Sequence, residues 1–300
     1  MTFTTKPLPA AFGHEVIGLD AEAPIPAETA RALYDQWLYS GILLFRGVGT
    51  SPEALVNLSR CFGELEIHPI PTFRMEGYPE LIELTNKNGP IGPVYSFDGV
   101  PTYGRIPWHT DLAFKTTPNA GALLRMVQKT PTGGQTGWLD TALAYDELDA
   151  ELKERIASLE ARYEFCADLS GMRFNNPNGT RIGSGNPNYP DFPPVANPLV
   201  WVHPVTGRKL LNISTINLQN IVGMENAEGD ALLQALVDHT TQAKYTYIHD
   251  WAENDIMLWD NRRTMHCAMG HPLDEIRIVQ RSTVKGTVAM GRIIEEAKAA

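Results

Sequence analysis

Cysteine is scarce in this sequence. There are three in 300 residues (Cys61, Cys166 and Cys267), far apart and without a CxxC pair. That excludes a disulfide framework and a cysteine-rich zinc site, and it fits a reducing compartment. Long apolar runs are missing too: none approaches the ~18 residues that a membrane-spanning helix needs. The first ten residues, MTFTTKPLPA, carry no apolar signal core, so a cytoplasmic protein is expected. Positive charge is in deficit, with 25 Lys and Arg against 35 Asp and Glu, a net charge of −10. A whole-surface grip on nucleic acid or anionic lipid is therefore not expected. Internal repeats and low-complexity segments are absent as well. What is present is 43% hydrophobic residues, enough chain for a large core, and eight histidines that need an explanation.

Apolar spacing predicts a helix over 26–40, stopped by Gly41, followed by a buried strand Ile42-Leu43-Leu44-Phe45. Ser51, Pro52 and Glu53 make a helix start, and the pattern runs to Gly63. Further helices are expected at about 141–160, as one or two, and at 226–243. Short β-like runs fall at 81–84, 122–127, 163–167, 199–202, 209–213, 245–248, 256–259 and 276–284. Many short strands with a few helices point to a sandwich or barrel, as a single domain over 1–300. Two stretches dense in Gly, Pro and Asn, 86–107 and 168–198, are expected to be long loops bordering a site.

The chemistry gathers around Trp108-His109-Thr110-Asp111-Leu112. On an extended strand His109 and Asp111 would share a face, because side chains two apart point the same way. An imidazole and a carboxylate converging make two thirds of a facial metal site. A lone pair of this kind also occurs by chance, with the two groups merely bonding each other. A third ligand candidate is His266, at the end of Leu258-Trp259-Asp260-Asn261-Arg262-Arg263-Thr264-Met265-His266. Two His and one carboxylate with open positions suit non-haem Fe(II) and oxygen chemistry, whereas structural zinc closes its shell with four protein ligands. Arg277 and Arg281 lie an even number apart, so on a strand they share a face. Inward guanidinium groups call for anions; salt bridges on an exposed face would satisfy them equally.

These motifs together, WHTD, TPTGGQTGW, WDNRRTMH and then two arginines four apart, resemble the Fe(II)/2-oxoglutarate-dependent dioxygenases of the taurine dioxygenase-like (TauD/TfdA) family. The order and spacing agree from about residue 10 to 290. The resemblance implies a mainly β fold with flanking helices, a double-stranded β-helix (a cupin-like jelly roll). It implies His109, Asp111 and His266 as iron ligands and catalytic centre, and Arg277 and Thr136 as partners of the distal carboxylate of 2-oxoglutarate. Arg281, His68 and the backbone N–H of Leu112 match positions that meet the substrate's anionic group. The cofactors implied are Fe(II), 2-oxoglutarate and O2, the products succinate, CO2 and a hydroxylated organic anion. Similar proteins are often dimers or tetramers.

Formal charges agree with those roles. Fe(II), one Asp, the 2-oxoglutarate dianion and Arg277 sum to zero, which leaves Arg281 to attract a second anion, the substrate. Carboxylates, sulfonates, sulfate esters and aryloxyalkanoates all qualify. Taurine itself does not fit. Taurine enzymes of the family place a Tyr three residues after the substrate-touching His and an Asn four before the first iron ligand. Here those positions hold Pro71 and Arg105, and Arg105 at the substrate would repel an ammonium group. A metal-dependent hydrolase using the same His/Asp/His set would give Arg277 and Thr136 no task, and a non-catalytic jelly-roll binding protein would not need three ligands in facial geometry.

Overall fold

The computed structural model describes residues 3–89, 94–182 and 190–295. Two sheets carry the architecture. The large one has eight strands, in the order Thr4–Pro7, His14–Ile17, Ile42–Phe45, Ile256–Asp260, Gly121–Gln128, Ile278–Val284, Tyr78–Thr85 and Arg74–Met75. The small one has six: Thr180–Ile182, Val94–Phe97, Val100–His109, Thr264–Pro272, Thr136–Asp140 and Thr246–His249.

The strands at the centre of the large sheet alternate in the way that two buried faces require. Leu43, Phe45, Leu123, Ile256 and Leu258 point to the outer side, where they pack on Leu33 and Trp37 of the helix Ala27–Ser40 and on Leu55 and Leu58 of the helix Pro52–Arg60. Ile42, Leu44, Leu124, Met126, Met257 and Trp259 point inward and meet Trp138 and Tyr247 of the small sheet. Each strand is thus apolar at nearly every position. The first helix ends at Gly41, whose positive φ of 77° only glycine adopts freely and whose N–H donates to Trp37 O. The second starts on Ser51, whose hydroxyl accepts the Ala54 N–H at 3.0 Å. It stops at Arg60, short of the expected Gly63.

A third cluster lies beside the sandwich. The helix Ala227–Thr240 packs Leu232, Leu233, Leu236 and Val237 against Tyr163, Val195 and Leu218. These belong to a four-stranded sheet ordered Leu218–Ile221, Glu160–Tyr163, Val195–Pro198 and Arg292–Ile293. The expected 141–160 helix is two, Thr141–Asp146 and Ala150–Ile156, each capped by an aspartate.

Two expectations are corrected. The strand placed at 163–167 is Glu160–Tyr163; the apolar signal from Phe165 belongs instead to an aromatic cluster with Phe114 and Phe192. The stretch 86–107 is not a long loop. It folds back as a hairpin, Val94–Phe97 with Val100–His109, which extends the small sheet. Residues 90–93 of that stretch and 183–189 of the second one lie outside the described residues.

Gly121 shows how tightly the outer layer is set. A Cβ there would stand 2.5 Å from the Trp259 carbonyl oxygen and 2.6 Å from Trp37 Cζ2. Gly121→Ala is expected to destabilise the fold by about 1–3 kcal/mol, seen as a lower urea midpoint with an unchanged slope. An unchanged midpoint would contradict this packing.

Candidate active site

Strand register brings the first two ligand candidates together. Val100–His109 and Thr264–Pro272 run antiparallel with His266 opposite His109. A bulge follows, because the register shifts between His266 and Ala268, and it re-aims the strand at the site. The two imidazole rings lie 4.1 Å apart, centroid to centroid. Asp111 reaches the same point differently from the sequence expectation. The strand ends at His109, and Asp111 sits in the turn that follows, with Leu112 at φ 56°. A turn rather than strand alternation makes them converge.

Asp111 Oδ1 lies 3.6 Å from His109 Nε2 and 3.7 Å from His266 Nε2. All three donor atoms fall within 4.8 Å of one another. A metal with bonds near 2.1 Å and right-angled ligands would draw donors to about 3 Å, a small contraction. The His109 Nδ1–H donates to Pro107 O at 2.8 Å, which leaves the Nε2 lone pair facing the cluster. Burial, with His109 beside it, holds His266 well below the usual imidazole range, so it is neutral and ready to ligate. Burial alone would raise the Asp111 carboxyl. The Arg281 guanidinium overcomes that and keeps it ionised well below the ordinary range.

Asn261 holds the turn. Its Oδ1 accepts the Asp111 N–H at 2.9 Å, and its Nδ2 donates to Asp111 O at 3.1 Å. The same Nδ2 reaches Asn119 O and Oδ1, while Ser214 Oγ accepts the Thr110 N–H at 3.1 Å. Asn261 is 1% exposed, so these bonds are made away from water and fix a left-handed Leu112 that an L-residue disfavours.

Arg277 stands before the strand Ile278–Val284 rather than on it, and a register shift separates the two. Arg277 and Arg281 consequently point to different ends of the site. Arg277 Nε is buried with no hydrogen-bond partner among the described residues, and burial pushes the pKa of the guanidinium down to about 10, with the Tyr103 phenol opposing the shift. It lines a polar pocket of about 240 Å³ with Thr130, Gly134 and Trp251. The Trp251 Nε1–H donates to Thr136 Oγ1 at 3.0 Å, which leaves the Thr136 hydroxyl proton for another acceptor. A buried guanidinium without an anion is unfavourable, and a carboxylate is the group that completes it.

Arg281 is less free than its charge suggested. Its Nη2 donates to Asp111 Oδ2, its guanidinium carbon lies 5.3 Å from the Trp259 ring centroid, and its Nε is buried without a hydrogen-bond partner among the described residues. His68 is not joined to the cluster. Its Nδ1 accepts the Ile70 N–H at 3.2 Å and its ring packs edge-on to Phe73. Arg105 lies over the Phe97 ring at 4.2 Å, within the hairpin. The remaining histidines have structural partners. His203 is buried, bonds Asp260 at 3.0 Å, and accepts the Val205 and Thr206 N–H groups of the turn that follows it. His239 reaches Ala144 O of another helix, not its own C-terminal end.

The profile of the family described as "Taurine catabolism dioxygenase TauD, TfdA family" matches residues 4–283. The chain belongs to this family. It is 32% identical over 291 residues to a (S)-phenoxypropionate/alpha-ketoglutarate-dioxygenase of Sphingobium herbicidovorans, covering 96% of both chains. It is 27% identical to an alpha-ketoglutarate-dependent 2,4-dichlorophenoxyacetate dioxygenase of Cupriavidus pinatubonensis, covering 94% of this chain and 98% of that one. Among solved structures, a taurine dioxygenase from Burkholderia xenovorans superposes with a TM-score of 0.78 at 28% identity, over 99% of this chain and 96% of the other. AAD-2 in complex with Mn(II) and N-oxalylglycine gives 0.76 at 28%, over 97% and 100%. The TauD/TfdA family fold is the double-stranded β-helix, and this member is an oxidoreductase that uses Fe(II), 2-oxoglutarate and O2. No described helix is long and apolar enough to cross a membrane.

Sequence pattern pointed to His109, Asp111 and His266, which the structure brings together; Thr136 and Arg277, implied by the family resemblance, lie next to Trp251, which bonds Thr136 and lines the pocket of Arg277. The pattern gave no sign of Asn261, which lies inside the WDNRRTMH motif but acts across 150 positions of chain. Asn261→Ala should weaken Mn(II) binding, read by calorimetry, by about 10–100-fold. Asn261→Asp, which keeps the acceptor and loses both donors, should fall between. Wild-type affinity in both would contradict the positioning role.

Proposed function

We propose that this chain hydroxylates a small organic anion of the aryloxyalkanoate kind, with 2-oxoglutarate as co-substrate. The observation that carries the reading is the pairing of an open His/Asp/His cluster with an Arg277 guanidinium whose buried Nε has no hydrogen-bond partner among the described residues. His109, Asp111 and His266 hold the iron, which supplies oxygen activation when bound. Arg277 and the Thr136 hydroxyl hold the distal carboxylate of 2-oxoglutarate, and Trp251 sets the direction of that hydroxyl. Arg281, anchored on Asp111, faces the substrate's anionic end through its remaining donors, with the Leu112 N–H beside it. His68, from its loop, and Arg105, from the hairpin strand Val100–His109, approach the same end in the loaded enzyme, and the segments 86–107 and 168–198 border the site.

The substrate class rests on two further supports. Relatives named for phenoxypropionate and 2,4-dichlorophenoxyacetate match over nearly the full length. Phe114, three residues past Asp111, clusters with Phe165 and Phe192 at centroid separations of 4.7 and 4.8 Å, an apolar wall suited to a ring. An ammonium group has no Tyr or Asn at positions 71 and 105 to receive it. A hydrolase built on the same triad would leave Arg277 without an anion to bind. The remaining expectations are a cytoplasmic homo-oligomer, dimer or tetramer, acting as one domain over 1–300 without nucleic-acid partners.

Succinate release with Fe(II) and 2-oxoglutarate should rise with an aryloxyalkanoate and stay low with taurine. Strong stimulation by taurine would overturn the substrate class. His109→Ala or Asp111→Ala should abolish release. Arg277→Ala should raise the KM for 2-oxoglutarate more than that for the organic anion, and Arg281→Ala the reverse. If both arginine variants impair the organic anion alone, the assigned roles are wrong.

A further inference from the structure

Glu66 occupies a position in the site that its sequence context did not announce. Leu65 bridges Val284 in antiparallel register, and the Glu66 N–H donates to Thr283 O at 2.8 Å. This short extension of the large sheet sets Glu66 opposite Thr283. Thr283 and Arg281 are two apart on one strand and share its inner face. The outer face is marked by Ser282, which bonds Ser59 of the helix Pro52–Arg60, and by Val284 in the outer core. Glu66 is therefore an inner-face neighbour of Arg281.

Its carboxylate is half-buried and makes no hydrogen bond or ion pair among the described residues. Lys115, Arg281 and Lys285 attract it and Asp111 repels it, while burial raises its pKa. The nearby cations have other commitments. Lys285 pairs with Glu64 at 2.9 Å. Lys115, on the turn after Asp111, holds its ammonium 5.7 Å from the Phe192 ring centroid. Arg281 is shared with Asp111. A carboxylate without a partner thus stands beside the guanidinium that receives the substrate.

We propose that Glu66 selects the charge of the substrate's anionic group, admitting a monoanion beside Arg281 and disfavouring a dianion. One shared guanidinium neutralises one negative charge. A second charge on the same group meets Glu66 and Asp111 across a partly desolvated gap, where Coulomb repulsion is weakly screened. This inference rests on the reading of Arg281 as the substrate's anion receptor.

Phenyl sulfate and phenyl phosphate test it, being nearly alike in shape. The sulfate is a monoanion; the phosphate is a dianion at a pH well above its second pKa of about 6. Both are titrated by calorimetry into the full-length enzyme loaded with Mn(II) and 2-oxoglutarate without oxygen. The wild type should bind phenyl sulfate about tenfold or more tighter than phenyl phosphate. Glu66→Gln should bring the two within about twofold by tightening the phosphate, and Glu66→Asp should keep the discrimination. Glu66→Ala, which removes the charge without adding an amide, must give the same ratio as Glu66→Gln. A wild-type ratio in either neutral variant, at an unchanged melting temperature, overturns the role of Glu66 alone. No binding of either ester to the loaded wild type overturns the reading of Arg281 and this inference with it.

Discussion

The pairing of Val100–His109 with Thr264–Pro272 is the constraint on which the site depends. It sets His266 opposite His109 and places the bulge that follows them. The same small sheet carries Thr136 opposite Ala268. A slip of one residue would turn every one of these side chains to the other face. Asn261 then ties the turn bearing Asp111 to the turn ahead of His266, so the third ligand is positioned by the segment that delivers the second. The catalytic geometry is therefore a consequence of register, with one amide closing the loop between strands far apart in sequence.

Electrostatics divide the site into two ends. At one, the Arg277 Nε is buried without a hydrogen-bond partner among the described residues. At the other, Arg281 is already half-committed to Asp111, and Glu66 stands nearby. The acidic surface of the chain says nothing about this local arrangement, because buried charges are governed by their immediate partners rather than by the net charge. A cationic pocket in an acidic protein suits two anions, one bound deeply and one bound under tighter control of charge.

Much of the fold was legible in the sequence where burial is on both faces. Ile42–Phe45, Gly121–Gln128 and Ile256–Asp260 read as apolar runs because helices cover one side and the small sheet covers the other. Val100–His109 was not legible. Its Pro101, Gly104, Arg105 and Pro107 look like loop residues, and its strand character comes from pairing on both sides, with Val94–Phe97 and Thr264–Pro272. The triad, which sits inside compact motifs, was visible. Residues that act through long-range contacts were not. Asn261, Trp251 and Glu66 have ordinary local contexts, and only the folded register brings them to Asp111, Thr136 and Arg281. The commitment of Arg281 to Asp111 was hidden for the same reason.

The His109/Asp111/His266 cluster activates O2 at the expense of 2-oxoglutarate. The most direct measurement is the mass of succinate formed under 18O2 with Fe(II), 2-oxoglutarate and an aryloxyalkanoate. Oxidative decarboxylation by a dioxygenase places one atom of O2 in the new succinate carboxylate and the other in the hydroxylated product. One 18O per succinate under 18O2, and no succinate without oxygen, is the expected result. Succinate that forms anaerobically, or that carries oxygen from water alone, would contradict the account.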